Sequence, residues 1–388
     1  MAQTSATLDA AVQHVSTAER AMLAHAHRWC RVNSFTANIE GVARVGELLQ
    51  QDFTLPELTC EAIEAEGYGD HLVWRTEAAK TQPAILLIGH HDTVFPPGHF
   101  EKWIEENGRI VAPGVLDMKG GLAVIRAALG ALSHVGVLAQ LPIVLVSVSD
   151  EEIGSPSSTP HLQALAKGAS CALVFESGRA QDMIITRRKG VGAMKVIAHG
   201  RAAHAGNNHK DGVNAIWGLA KFIDAAQQLT NHAKGVTVNV GQITGGTSKN
   251  TVPERAECQI DLRYETVADA EALVASLQAV ADRVQLSGLR IETIGGVNRL
   301  PLERTDASTA LLDEYGACAK AAGLGHGEAP LIGGGSDANT VAPLGVPAID
   351  GLGPRGAGFH TPSEYVEIGS FVPKCEALVR FLVGRLGR

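Results

Sequence analysis

Gly89-His90-His91-Asp92-Thr93 follows directly on an apolar run, Ala84-Ile-Leu-Leu-Ile88. Side chains two apart on a strand share a face, so His90 and Asp92 point together and His91 points away. A carboxylate beside an imidazole is the usual support of a metal-bound histidine, because it fixes the tautomer and raises basicity. Taken alone, the pair reads more readily as a satisfied histidine at a strand end. Ala112-Pro-Gly-Val-Leu-Asp-Met-Lys-Gly-Gly121 is a Gly-bounded turn that presents Asp117 just before a helix. A lone Asp there also serves as an N-cap. The run Leu141-Pro-Ile-Val-Leu-Val-Ser-Val148 passes into Asp150-Glu151-Glu152. Three adjacent carboxylates repel one another and call for a nearby cation, unless they form an exposed acidic turn. A third apolar run, Leu173-Val-Phe175, ends in Glu176, and Gly358-Phe-His360-Thr-Pro-Ser-Glu-Tyr365 sets His360 in a Gly-rich loop. Taken jointly, two histidines and several carboxylates fit a two-zinc site with mixed nitrogen and oxygen ligands.

These residues must be held at the ends of strands. Ala84–Ile88, Leu141–Val148 and Cys171–Phe175 are apolar but for Ser147, as strands buried on both faces should be. With the Ala-rich helix expected over Gly120–Leu132, they predict an α/β fold with a central, mostly parallel sheet. Ligands gather at the carboxyl ends of such strands. Helical spacing over Leu8–Ala26 and Val42–Phe53 places helices before the sheet. From about Lys189 the texture changes: Gly192–Ala198, Val236–Val240 and Ala256–Tyr264 alternate as half-exposed strands, while Val213–Ala226 and Val267–Val284 look helical. The expected division is a catalytic domain over 1–188 and 301–388 with a smaller α+β domain, 189–300, inserted into it.

A chain of 388 residues normally splits into two domains. Lys plus Arg number 33 against 41 Asp plus Glu, for a net charge of −8, so neither nucleic acid nor an anionic membrane is an expected partner. No apolar run approaches the ~20 residues needed to cross a bilayer. Charged residues and histidines interrupt Met1–Cys30, which does not read as a secretory signal. The six scattered cysteines contain no Cys-x-x-Cys pair, and free thiols in a reducing cytoplasm are expected.

The ordered motifs from about residue 85 to 365 resemble the M20 family of zinc metallopeptidases, closest to its glutamate carboxypeptidase branch. The resemblance implies a catalytic domain with a ferredoxin-like lid, pairing as a homodimer, and two Zn²⁺ per subunit, with Co²⁺ or Mn²⁺ as substitutes. Asp117 would bridge the metals, with His90 and Glu176 completing one and Glu152 and His360 the other. Glu151 would be the general base and Asp92 the support of His90. Glu at position 176 points toward carboxypeptidases and acyl-amino-acid hydrolases, since many aminopeptidase relatives carry Asp. Gly200-Arg-Ala-Ala-His-Ala-Gly206 and Gly212-Val-Asn-Ala215 resemble the family's lid motif. His204 would reach the partner's active site and stabilise the oxyanion. Asn207-Asn-His-Lys210 departs from the Pro-containing segment common among relatives.

Such an enzyme must bind a free carboxylate, which arginine does best through its planar fork. Candidates are Arg188, Arg263 and Arg299, the last in loose alignment with the carboxylate-binding arginine of that branch. Asn250 resembles a position near the substrate backbone, and Gly335 and Ser336, in the Gly333–Gly335 run and just after it, are further candidates. Three functions stay open: a carboxypeptidase releasing a C-terminal amino acid such as Glu, an N-acyl-amino-acid deacylase or dipeptidase, and a catalytically silent metal-binding relative.

Overall fold

The computed structural model describes residues 2–284 and 286–387. They form two compact units. The larger contains the chain up to Arg187, Arg304–Leu331 and the chain from Ser336; the smaller contains Arg188–Glu303 and Ile332–Gly335.

The larger unit is built on a six-stranded sheet in the order Thr59–Ile63, His71–Arg75, Ile143–Val148, Ile85–His90, Cys171–Val174, Ala348–Ile349. The last four are parallel to one another and the first two antiparallel. Ile85–His90, Ile143–Val148 and Cys171–Val174 are buried along their whole length, which is why they read as apolar runs broken only by Ser147 and the terminal His90. Their register sets His90 opposite Val148 and Ile88 opposite Val174. The residues that follow, Glu151, Glu152 and Glu176, therefore emerge at the same edge as His90. The helix Gly120–His134 packs behind that edge. A Cβ at Gly121 would lie 2.2 Å from the Phe175 carbonyl oxygen, so only glycine permits this approach.

A second, four-stranded sheet in this unit escaped the sequence reading: Gly356–Ala357, Tyr365–Glu367, Arg109–Val111, Ile104–Glu106. Its strands are too short to show alternation. It sets the loop carrying His360 beside the chain that leads into the Asp117 turn.

The smaller unit is an antiparallel sheet in the order Thr237–Gly245, Arg255–Tyr264, Gly190–His199, Arg290–Arg299. Helices Ala215–Gln227 and Val267–Arg283 cover one face, with Leu219, Phe222, Leu273 and Leu277 packed in one cluster with Val196 and Ile260. Lys195, Gln259 and Asp261 alternate onto the other face. The strand Arg290–Arg299 was not foreseen, because Gly295 and Gly296 interrupt its pattern. Among the described residues no helix is long and apolar enough to cross a membrane.

No disulfide joins any of the six cysteines. Burial pushes the Cys30 thiol up to about 12 and those of Cys171 and Cys258 up to about 11, from 9.0 for a free thiol. Their stabilisation is complete below pH ~9 and is lost as pH rises through the folded values. Lys374, pushed down to about 8 by burial, acts in the opposite sense between pH 8 and 10.5. The thiols outnumber it, so the melting temperature should fall by several degrees between pH 9 and 11. The double variant Cys171→Ala/Cys258→Ala should flatten that fall in a pH series of thermal scans.

Candidate active site

Five side chains converge at the carboxyl edge of the large sheet. His90 Nε2 lies 3.2 Å from Asp117 Oδ1 and 3.7 Å from Glu176 Oε1. His360 Nε2 lies 3.3 Å from Asp117 Oδ2 and 3.2 Å from Glu152 Oε2. Asp117 thus turns one oxygen to each histidine, with a further carboxylate beside each. Ligand atoms of His90, Asp117 and Glu152 fall within 4.8 Å of one another, and so do those of His90, Glu151 and Glu176. His90 is fully buried while the His360 side chain is half-exposed, so the group opens to solvent on the His360 side.

The electrostatics are those of an anionic pocket. Burial first, and then the Asp117 charge, push the Glu152 carboxyl up to about 8 and that of Glu176 well above its usual range. Asp117 is held well below the carboxylate range: burial opposes its charge, but hydrogen bonds with His360 and His90 outweigh it. Bonds to Asp117 and Glu152 raise His360 to about 10. Three carboxylates and two imidazoles in contact form a donor set that fits a pair of divalent cations, which would relieve the repulsion.

Asp92 does more than support His90. Its Oδ1 lies 3.3 Å from His90 Nδ1 and accepts the Glu151 amide at 3.2 Å, while Oδ2 accepts the Glu152 amide at 3.2 Å and the Thr36 hydroxyl at 2.7 Å. The aspartate therefore orients the two glutamates through their main chain. Asp150 does not join the cluster; it caps the following turn, accepting Ser157 N at 2.6 Å and Ser158 Oγ at 2.6 Å. Only two of the three consecutive carboxylates face the pocket. His91 turns away to Ser147 Oγ, 2.9 Å distant. His360 sits at φ 62, in the left-handed region, within a turn closed by Thr361 Oγ1 donating to Gly358 O at 2.7 Å.

The remaining expected residues belong mostly to the smaller unit. His204, on the short strand Ala203–His204, pairs with Thr251, next to Asn250. Its Nδ1 accepts the amides of Gly206 and Asn207 at 3.2 and 3.0 Å, which leaves the proton on an exposed Nε2–H. The amide used at Asn207 is one a proline could not supply. The Asn250 carbonyl accepts the Ala205 amide at 2.9 Å, and its side chain accepts Ser248 Oγ at 2.9 Å. Arg263 is gripped two-pronged by Asp261, at 2.8 Å through each oxygen. Arg188 and Arg299 are buried, and Arg188 Nη1 donates to Gly334 O at 3.1 Å. Gly335 belongs to the smaller unit and Ser336 to the larger. Ser336 is buried and donates its hydroxyl proton to Asp350 at 2.6 Å, so it shapes the turn instead of offering that proton to a ligand.

A model of a peptidase dimerisation domain matches residues 186–288. Carboxypeptidase G2 of Pseudomonas sp. (strain RS-16) is 30% identical over 362 residues, covering 92% of this chain and 87% of that protein. The chain belongs to the M20 family of metallopeptidases. Succinyl-diaminopimelate desuccinylase of Xanthomonas oryzae pv. oryzae (strain PXO99A) is 28% identical, over 87% of this chain and 92% of the relative. The YxeP protein of Bacillus subtilis, a dinuclear metal binding peptidase from the M20 family, shares the fold with a TM-score of 0.69 at 14% identity, over 95% and 98% of the two chains. As an M20 protein the chain is a metal-dependent hydrolase.

Proposed function

We propose that this M20 enzyme is a dinuclear zinc hydrolase that cleaves an amide or peptide bond next to an amino acid with a free carboxylate. The observation that carries the reading is Asp117, with one oxygen toward His90 and the other toward His360, and Glu151 alongside. His90, Asp117 and Glu176 would hold one ion, and Asp117, Glu152 and His360 the other. Bound there, a metal pair would supply Lewis-acid polarisation of the amide carbonyl and a more acidic water. Glu151 takes the proton of that water as it attacks, then returns it to the leaving nitrogen. Held on its backbone by Asp92, the Glu151 carboxylate needs little reorganisation between the two transfers. His204 would offer its Nε2–H to the oxyanion developing in the partner subunit's site, its tautomer set by the two amides at Nδ1. Arg188, Arg263 and Arg299 stay the candidates for the substrate carboxylate, with Asp261 to be displaced from the Arg263 fork before it could serve.

The enzyme would work as a homodimer in the cytoplasm. Strand Thr237–Gly245 pairs only with Arg255–Tyr264 among the described strands, and its nine residues carry no charge. An uncharged edge is a template for a second copy. Ile243 and Trp217 are each 56% exposed in the same unit. Ile243→Lys should shift the protein to monomer at micromolar concentration by light scattering. If His204 serves the partner's site, turnover should fall with the dimer.

A hydrolysis screen tests the substrate reading: N-acyl amino acids and dipeptides, each beside its C-terminal amide, with Zn²⁺ present. Cleavage restricted to the free-carboxylate member of each pair supports the reading; equal cleavage of both overturns it. Release of Glu alone would favour a glutamate carboxypeptidase. Broad cleavage would favour the N-acyl-amino-acid deacylase reading, for which the desuccinylase relative speaks. Membership of an enzyme family speaks against the silent-relative reading.

A further inference from the structure

Glu364 lies four residues beyond His360 on the same loop and is fully buried. Its Oε1 accepts two main-chain amides, Leu116 N at 2.8 Å and Asp117 N at 3.2 Å. Its Oε2 is buried with no hydrogen-bond partner among the described residues. The backbone at Asp117 (φ −121, ψ 89) and Met118 (φ −134, ψ 34) departs from helix, so these amides find their acceptor outside their own turn. Both partners are donors, and a carboxylate oxygen suits them because it only accepts. One oxygen therefore clamps the main chain at the residue whose two carboxylate oxygens face His90 and His360. The clamp springs from the loop that supplies His360, and the pairing of Tyr365–Glu367 with Arg109–Val111 brings that loop alongside.

We propose that Glu364 is a positioning residue: it fixes the Asp117 main chain relative to His360, so that the aspartate can reach both metal positions at once. The inference rests on the metal-pair reading above. Glu364 acts through the Asp117 main chain. Partners of this kind, one bond removed from the metal, change affinity about 10–100-fold when lost.

Three variants separate the roles. E364Q keeps an acceptor oxygen at the same reach, E364D withdraws it by one methylene, and E364A removes it. Zn²⁺ affinity is measured by chelator competition on the full-length protein, the ligand field by visible absorption of the Co²⁺-loaded protein, and kcat and KM separately. E364Q should stay within about threefold of wild type in affinity, with an unchanged Co²⁺ spectrum. E364D and E364A should lose about 10–100-fold in affinity, shift the spectrum, and lose kcat with little change in KM. If E364A does not fold, the E364Q and E364D pair decides. E364D with wild-type affinity and spectrum but a lower melting temperature overturns the inference, as does E364Q losing as much as E364D. Wild-type protein that takes up no Zn²⁺ overturns the metal-pair reading and this inference with it. Normal wild-type loading beside indifferent variants overturns this inference alone.

Discussion

Glu151→Ala should keep both metals and lose turnover by about 10²–10⁴-fold, the range expected for a positioned general base. The glutamate sits within 4.8 Å of His90 and Glu176, close enough to exchange a proton with a water held among them. Its backbone is fixed by Asp92 and does not depend on its own side chain, so the loop should survive the substitution. Glu151→Gln should fail equally, since it preserves shape but cannot accept the proton. Metal content is the check that separates base from ligand. A fall from two ions to one in Glu151→Ala would make Glu151 a ligand and leave the base unassigned.

Asp117→Asn should abolish binding of the pair and reduce hydrolysis by about 10³-fold or more, because one residue serves both positions and an amide offers a single acceptor oxygen. Metal-free protein should lose stability as well. Hydrogen bonds with His360 and His90 hold the Asp117 carboxyl well below its usual range, so its charge stabilises the fold at neutral pH. Metal-free Asp117→Asn should therefore melt below the wild-type temperature. Wild type should gain stability on adding Zn²⁺, as any ligand that binds only the folded state confers. The variant should gain little. Thermal scans with and without Zn²⁺ read both effects.

The residues gathered in the larger unit were legible because they combine an unusual type with a strong local context. His90 ends a strand buried on both faces and Glu152 and Glu176 follow two others, and parallel strands of similar length deliver their ends to one edge. Asp117 and His360 lie in glycine-bounded turns, where the pairing of distant strands decides the outcome. Glu364 was missed for that reason: Thr361-Pro-Ser-Glu364 reads as a polar loop, and its two donors lie 248 and 247 residues away. The short sheet that joins them leaves no periodic trace. Arg263 teaches the opposite lesson. Asp261 stands two residues before it on a strand, hence on the same face, so its capture of the guanidinium was readable from the spacing. Asp150 was grouped with its acidic neighbours by adjacency alone, whereas a carboxylate before a Ser-rich turn has a ready use as a cap. Substrate recognition stays the least legible part, because it depends on arginines that ordinary salt bridges also use.

The central claim is a pair of metal ions on the Asp117 cluster that act with Glu151 in amide hydrolysis. Its most direct test is the rate of hydrolysis of an N-acyl amino acid by chelator-stripped protein as Zn²⁺ is added. The expected result is negligible activity without metal, a rise as ions are taken up, and a plateau at two equivalents per chain. Full activity in the stripped protein, or uptake of two equivalents with no hydrolysis of any N-acyl or dipeptidyl amino acid, would contradict it.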